Sequence, residues 1–376
     1  MSLTAGSAPR RRLVAALAAA AVTLSLVSCS SNSGSGGSSS SSTSSSESST
    51  DSSTAGSSAD LAMSGGSDTA MSGGSMSGGS GSAESGGGAT SVAQITGSGN
   101  GKVDQATFDA AINGAPKADD ATVQANSWAK AIKARGTLNT GGTETSPIFS
   151  LKNPGTGKLT GFDAGLAQML ARYIIGAPTI NLTVVTVDTR ETLVQNGTVD
   201  TVFATYSITP ARAKKIAFAG PYLISGDAIA VKKDNTSITK LDDLAGKTVT
   251  TESNSTAVNL LKEKVPTAKL LLFAEDAQCQ AALTQGRADA YVLDQSILIS
   301  DAIKNNAIKV VGAPFTVDPY GIGLSMSNPD AKKFVDAWLE KIFADGSWAK
   351  LWKATVGTVV AGDAPAPPKI GSVPGS

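Results

Sequence analysis

The run Ile208-Thr209-Pro210-Ala211-Arg212 is where the residue types of this chain could do chemistry. Arg212 offers a planar guanidinium whose fork matches a carboxylate through two parallel hydrogen bonds. The same run also fits a plainer role, a surface helix start with Thr209 as cap and Pro210 at the first helical position. Arg212, Lys214 and Lys215 would then be solvated, and the run alone leaves both roles open. The elements before and after it decide between them.

Composition narrows the chemistry. The chain has 376 residues, enough for two domains, with 31 basic and 31 acidic side chains. That balance gives no support to a nucleic-acid partner or a basic membrane patch. There is no histidine. Ser-His-Asp catalysis, Cys-His catalysis and His-ligated metals are therefore excluded together. Cys29 and Cys279 are the two cysteines. They are too few for a zinc-type cluster, and neither a metal nor a cofactor is expected.

Arg10, Arg11 and Arg12 precede an apolar run from Leu13 to Val27. A charged start, an apolar stretch short of a comfortable membrane span and small residues at its end make an export leader. Leu26-Val27-Ser28-Cys29 resembles a bacterial lipobox. It implies a leader over residues 1–28, cleavage before Cys29 and a lipid on the Cys29 thiol, anchoring the chain outside the cell membrane. The arginines leave Sec and twin-arginine export both open. Cys279 is then a lone thiol in the first turn of an apolar-periodic helix (Ala277, Ala281, Leu283), and a buried structural role is expected.

Residues 29–105 read as a tether. Ser and Gly dominate from Ser30 to about Asn100, and Met-Ser-Gly-Gly-Ser recurs at Met63, Met71 and Met76. Such a composition buries too little apolar surface to offset ordering. As a coil of about 70 residues it spans roughly 45–50 Å. Beyond it, helix and strand patterns alternate. A helix is predicted over Val123–Arg135 and a strand over Thr137–Thr140. Phe162, Leu166, Leu170 and Tyr173 keep helical spacing, and Leu182–Val187 reads as a buried strand. Further strands are predicted over Thr201–Ala204, Lys247–Thr250, Lys269–Phe273 and Ala288–Val292, and helices over Pro329–Ala344 and Trp348–Thr355. The alternation predicts α/β layers with mostly parallel sheets. The Pro/Gly tail, residues 361–376, is expected to fray.

Leu223–Val231 and Ala313–Gly323 read as connections between two lobes. A chain that leaves one lobe, builds a second and returns makes two crossovers with a cleft between them. In α/β lobes, ligands sit at strand carboxyl ends, near helix N-termini.

From about Gly136 to Val356 the motifs follow one family in order. They are Gly161-Phe162-Asp163, Asn196-Gly197-Thr198-Val199-Asp200 and Ile208-Thr209-Pro210 with Arg212. Then come Leu241–Lys247, Ala288-Asp289-Ala290 leading to Asp294, Pro319–Gly323 and Asp345–Trp348. The chain resembles the extracellular solute-binding proteins, family 3, the polar amino-acid receptors of ABC importers. Within them it is most like actinobacterial glutamate- and aspartate-binding lipoproteins. The resemblance implies a two-lobed periplasmic-binding-protein-like (type II) α/β fold, with residues 106–228 and 316–360 in lobe 1 and 229–315 in lobe 2. It also implies a monomer that hands a small amino-acid ligand to permease subunits.

By the same resemblance, Arg212 is expected to hold the ligand α-carboxylate, with Ser207 and the Thr205 backbone beside it. Ser255 and Thr256 are expected to add a hydroxyl and amides at a helix N-terminus, where the dipole favours an anion. Asp294 is expected to accept from the α-ammonium, and Arg190 to meet a distal carboxylate. Plainer roles remain: Ser255 as an N-cap, Asp294 as an N-cap or surface acid, Arg190 as a solvent-facing residue. Asn254 stands where many relatives have Gly. Thr145 stands where many have an aromatic ring, with Thr143 nearby as a polar contact. Two cations against one acid suit glutamate or aspartate, because a buried unpaired charge is costly. Glutamine or asparagine is the alternative ligand, and an amino-acid sensor facing a membrane partner is the alternative role. Related folds include cyclohexadienyl dehydratase and a lytic transglycosylase fused to a binding domain. No additional catalytic domain fits here, and a binding protein rather than an enzyme is expected.

The leader generates a direct expectation. Changing Cys29 to Ala should release the chain from the membrane or leave it unprocessed, read by membrane fractionation and N-terminal mass analysis. A wild-type chain that is soluble, with an unmodified terminus elsewhere, would reject the anchor.

Overall fold

The computed structural model describes residues 100–376. The leader, the Cys29 lipidation site and nearly all of the tether lie outside the described residues. Order begins with α1 (Gln105–Gly114), where Asp104 caps the helix by accepting from the Thr107 N–H at 2.8 Å. Phe108, Ala111 and Ile112 fall three and four residues apart and bury one face of it. The helix predicted over Val123–Arg135 is two: α2 (Asp120–Gln124) and α3 (Ser127–Arg135). Asn126 separates them, because its extended backbone lets its side chain accept from the Ala129 N–H and start a new helix. Gly136, left-handed at φ 76°, ends α3.

Strand β1 (Leu138–Gly142) opens the first lobe and is followed by three short strands, β2 (Thr145–Ser146), β3 (Ser150–Lys152) and β4 (Leu159–Thr160), which form their own sheet. Then come α4 (Phe162–Ile175), β5 (Ile180–Val184), α5 (Arg190–Gln195), β6 (Thr201–Val202) and α6 (Pro210–Ala213). Strand β7 (Ala217–Ser225) leads through Gly226 directly into β8 (Asp227–Lys232) of the second lobe. That lobe continues with β9 (Thr248–Glu252), α7 (Thr256–Lys264), β10 (Lys269–Phe273), α8 (Asp276–Thr284), β11 (Ala290–Asp294), α9 (Gln295–Lys304) and β12 (Ile308–Val311). The chain returns in β13 (Asp318–Leu324) and closes with α10 (Pro329–Ala344) and α11 (Ser347–Ala354).

The lobes repeat one plan. Their sheets run β5-β1-β6-β13-β7 and β10-β9-β11-β8-β12. In each, four strands run one way and the fourth in the order, β13 or β8, runs against them. Each sheet is therefore mostly parallel in strand direction, as predicted, with a single reversed strand. The reversed strand in each is the one by which the chain enters from the other lobe, β8 or β13, which runs opposite to those built by strand–helix–strand units.

The predicted connections shrink to two adjacent points. Leu223–Val231 is almost all strand, with only Gly226 between β7 and β8. The return passes Phe315 and Thr316, whose N–H and Oγ1 bond the Asp227 carbonyl and N–H at 2.9 and 2.5 Å. A Cβ at Gly226 would sit 2.2 Å from the Thr316 carbonyl oxygen. The close pass of the two chains therefore needs glycine.

Lobe 1 holds the larger core, in which Trp338, Trp348 and Trp352 pack with Phe162, Tyr222 and Leu351. The Trp348 indole N–H donates to the Tyr222 carbonyl at 2.9 Å. The tail is docked rather than frayed. The Gly371 N–H donates to the Gly220 carbonyl at 2.9 Å, and Ile370 and Val373 pack against lobe 1 clusters. Two apolar anchors outweigh the Pro/Gly composition around them.

The close pass makes a test. Gly226→Ala should destabilise the chain by about 2 kcal/mol, since overpacking of a tight contact costs roughly 1–3 kcal/mol. Thermal melting should show Tm lowered by roughly 4–8 °C. A variant as stable as the parent would show that the crossovers can part.

Candidate functional site

Between the lobes lies a cavity lined from lobe 1 by Arg190, Thr205, Ser207 and Arg212, and from lobe 2 by Glu252, Ser255, Thr256 and Asp294. Seven of the eight residues expected in the site thus meet at one place, and Glu252 joins them. The eighth, Thr143, lines an adjoining cavity with Thr145, Phe149 and Asp163 from lobe 1 and Glu275 and Asp276 from lobe 2. Arg190, Thr205 and Glu252 face both cavities.

Arg212 sits on α6, whose first turn is capped by Thr209 with Pro210 leading, as the plainer reading of that run has it. The cap fixes the backbone, but the half-buried guanidinium is engaged rather than free in solvent. It donates to the Ser207 carbonyl at 2.9 Å and, across the cleft, to the Asn254 carbonyl at 3.0 Å. Burial, then the charge of Arg190, pulls its pKa down to about 10.

Arg190 is 4% exposed, which overturns the solvent-facing reading. It opens α5, donates to the Ala204 carbonyl at 2.7 Å and lies 3.8 Å over the Tyr206 ring. Arg212 approaches the same ring at 5.2 Å. Stacking on one buried tyrosine holds two cations close together in a dry site. The Arg190 Nε–H is buried without an acceptor.

Ser255 occupies the N-cap position of α7, yet its hydroxyl bonds Thr251 Oγ1 at 3.1 Å and caps nothing. The first-turn N–H groups of α7, beginning at Thr256, are left without a side-chain cap where the helix dipole favours an anion. Asp294 ends β11 and is 5% exposed, neither a surface acid nor a working cap. Burial, then the nearby Asp318, pushes its pKa up to about 7, and its Oδ1 has no donor.

Thr205 and Asn254 are the two non-glycine residues with positive φ among the described residues, at 45° and 58°. Asn254 accepts the left-handed backbone that glycine would supply. The Thr205 N–H is already used: it donates to Asp163 Oδ2 at 2.7 Å, so only its carbonyl and hydroxyl are free to meet a ligand. Asp163 also accepts from the Tyr222 hydroxyl at 2.8 Å, and burial pushes it up to about 6. Ser207 is buried and bridges to Tyr320, with its carbonyl given to Arg212.

Sequence reasoning passed over Glu252 and Asp188. Glu252 ends β9, the place where strands of such lobes face the cleft, so position alone could have found it. Burial, then Asp276, pushes it up to about 8. Asp188 carries no sequence signal. It accepts from Ser253 Oγ at 2.6 Å and from the Asn254 side-chain amide, which latches the lobes together.

Sign follows from these shifts. Glu252 and Asp163, ordinarily at 4.5 and 3.8, hold protons in the folded chain that the unfolded chain has released. Their contribution to stability is full below those ordinary values and is lost as pH rises through about 6 and about 8. Tm measured without added amino acid should fall between about pH 5 and about pH 9, and Glu252→Gln should flatten the upper part of that fall. A profile that is flat or rising in the parent would contradict the protonated cleft.

Comparison with known proteins agrees with the geometry. Residues 138–357 match the family described as bacterial extracellular solute-binding proteins, family 3. The chain is 33% identical over 225 residues to the ABC transporter glutamine-binding protein GlnH of Bacillus subtilis, covering 59% of this chain and 82% of that one. It is 33% identical over 234 residues to the glutamate-binding protein GluB of Corynebacterium efficiens, covering 59% and 79%. The fold matches the structure of an ancestral arginine-binding protein bound to glutamine, with TM-score 0.56 and 33% identity over 59% of this chain and 99% of that one. A two-lobed type II fold, an interlobe cleft with opposed charges and a match across both lobes lead to one conclusion: the chain belongs to the bacterial extracellular solute-binding proteins, family 3.

Proposed function

We propose that this protein is the receptor of an amino-acid importer and that its preferred ligand carries a side-chain amide, as glutamine does. The observation behind the amide is that Arg190 and Glu252 face the same cavity from opposite lobes. In this reading Arg212 and the α7 amides hold the α-carboxylate and Asp294 holds the α-ammonium. What is left for the side chain is one cation and one acid. An amide gives its carbonyl to Arg190 and its N–H to Glu252, whose carboxyl group can accept it with or without its own proton. Counting from sequence gave two cations against one acid; Glu252 changes that balance. The relatives include both a glutamine-binding and a glutamate-binding protein, in keeping with a small chemical step between the two ligands.

An acidic ligand remains the second reading, because burial pushes Glu252 up to about 8. Protonated, Glu252 would donate to a distal carboxylate that Arg190 also holds. Lipid anchoring through Cys29 and hand-over to permease subunits complete the proposal.

Calorimetric titration of the full chain with glutamine, glutamate, asparagine and aspartate separates the readings. Glutamine is expected to bind tightest. Above about pH 8 glutamate affinity should fall by up to tenfold per pH unit, while glutamine is unaffected. Arg190→Ala should weaken both ligands, and Glu252→Gln should narrow the gap between them. Arg212→Ala and Asp294→Ala should each cost roughly 2–5 kcal/mol with every ligand. Tighter binding of glutamate at both low and high pH, unmoved by Glu252→Gln, would make the acid the ligand.

A further inference from the structure

We propose that Asp227, Asp294 and Asp318 form a cation site of the calcium class at the point where both crossovers leave the cleft. Asp227 is the first residue after the Gly226 crossover and Asp318 the first strand residue of the return. Asp227 and Asp294 stand directly opposite each other on antiparallel strands. One carboxylate oxygen from each of the three lies within 4.8 Å of the others.

Like charges opposite one another on neighbouring strands repel, and burial makes the repulsion worse. The protein relieves it only in part, through the Tyr320 hydroxyl at Asp294 and the field of Arg212. Asp227 is 0% exposed, and neither of its carboxylate oxygens has a hydrogen-bond donor. Asp294 Oδ1 has none either, while Asp318 Oδ2 accepts from Thr316 Oγ1. None of the ion pairs among the described residues involves any of the three. Arg212 is the cation whose field reaches all three, and its guanidinium is spent on two backbone carbonyls. Gln295, next along the chain, carries another buried acceptor without a donor.

Size and charge choose the ion. Calcium–oxygen bonds run about 2.3–2.6 Å, so oxygens bound to one calcium ion stand at most about 5 Å apart. The spacing observed is within that limit. Three carboxylates against one divalent ion and the Arg212 guanidinium leave no net charge, whereas a monovalent ion leaves one. An all-oxygen, irregular donor set suits calcium better than magnesium, which demands near-ideal octahedral geometry.

Asp227 and Asp318 lie behind the ligand cavity and do not line it; Asp294 does. A bound ion would therefore tie the two crossovers to β11 and share Asp294 with the ligand ammonium, which links cation and amino-acid binding. The cation site itself does not depend on which side chain the ligand carries.

The experiment uses the full chain, stripped with EGTA and then titrated with Ca2+ alone, followed by calorimetry and thermal melting. One Ca2+ per chain in the sub-millimolar range, with a rise in Tm and weaker binding of Mg2+, is expected. Asp227→Asn and Asp318→Asn, each checked for native circular dichroism, should weaken Ca2+ at least tenfold. Two variants guard against one failing to fold. Absence of a Ca2+ response in the parent at millimolar concentration would overturn the proposal. So would stabilisation by Asp227→Asn in EGTA with no Ca2+ response, which would mean that protons hold the cluster. Glutamine binding is measured separately, so failure of the cation site and failure of the amide reading give different results.

Discussion

Everything in the cleft depends on keeping charges of opposite sign dry and close without letting them pair inside the protein. Arg190 and Arg212 donate to backbone carbonyls, and Asp294 keeps one oxygen without a donor. Had the cations met the acids directly, as in an ordinary buried ion pair, little would be left to recognise a zwitterion. Carbonyl partners hold the guanidinium groups in position but neutralise nothing. The unmatched charge is available to a ligand, and its cost is lowered by Tyr206, whose face lies under both cations.

That constraint explains why closure and binding belong together. The cations come from lobe 1, while Asp294, Glu252 and the α7 amides come from lobe 2. Neither lobe alone can balance a zwitterion. The latch from Asp188 to Ser253 and Asn254 and the bond from Arg212 to Asn254 cross the same gap. Asn254 is the hub, and its left-handed backbone aims its carbonyl at Arg212 while its amide meets Asp188. A non-glycine residue with positive φ persists where its surroundings over-determine it, and here two bonds from the opposite lobe to Asn254 and one to the preceding Ser253 do so.

Local pattern made most of the elements legible in the sequence. Pro329–Ala344 and Lys269–Phe273 match the predicted bounds, because proline opens the apolar periodicity of the first and an unbroken apolar run marks the second. Arg212, Ser255 and Asp294 could be placed because their motifs occur in order along both lobes. What the sequence hid depends on contacts between distant segments. Asn126 splits a helix that periodicity alone would continue. Ile370 and Val373 dock a tail whose composition reads as loose. The single reversed strand in each sheet follows from crossover direction, which no local window contains. For Arg190 the sequence left a cleft role and a solvent-facing one both open, since its burial comes from Tyr206 and Ala204, more than ten residues on.

Glu252 shows how one residue unseen in the pattern changes a functional count. From sequence, two arginines and one aspartate pointed to an acidic ligand. With Glu252 in the same cavity, one guanidinium and one carboxyl group are left to face the side chain. Burial, with Asp276 and Asp294 of its own lobe beside it, favours the protonated form of this carboxyl group. The cleft can therefore present either an acceptor or a donor at one position, depending on whether a proton is held. Under the proposed function, discrimination between an acid and its amide would rest on that single hydrogen, because the two side chains have nearly the same shape and differ mainly in charge and in donor capacity.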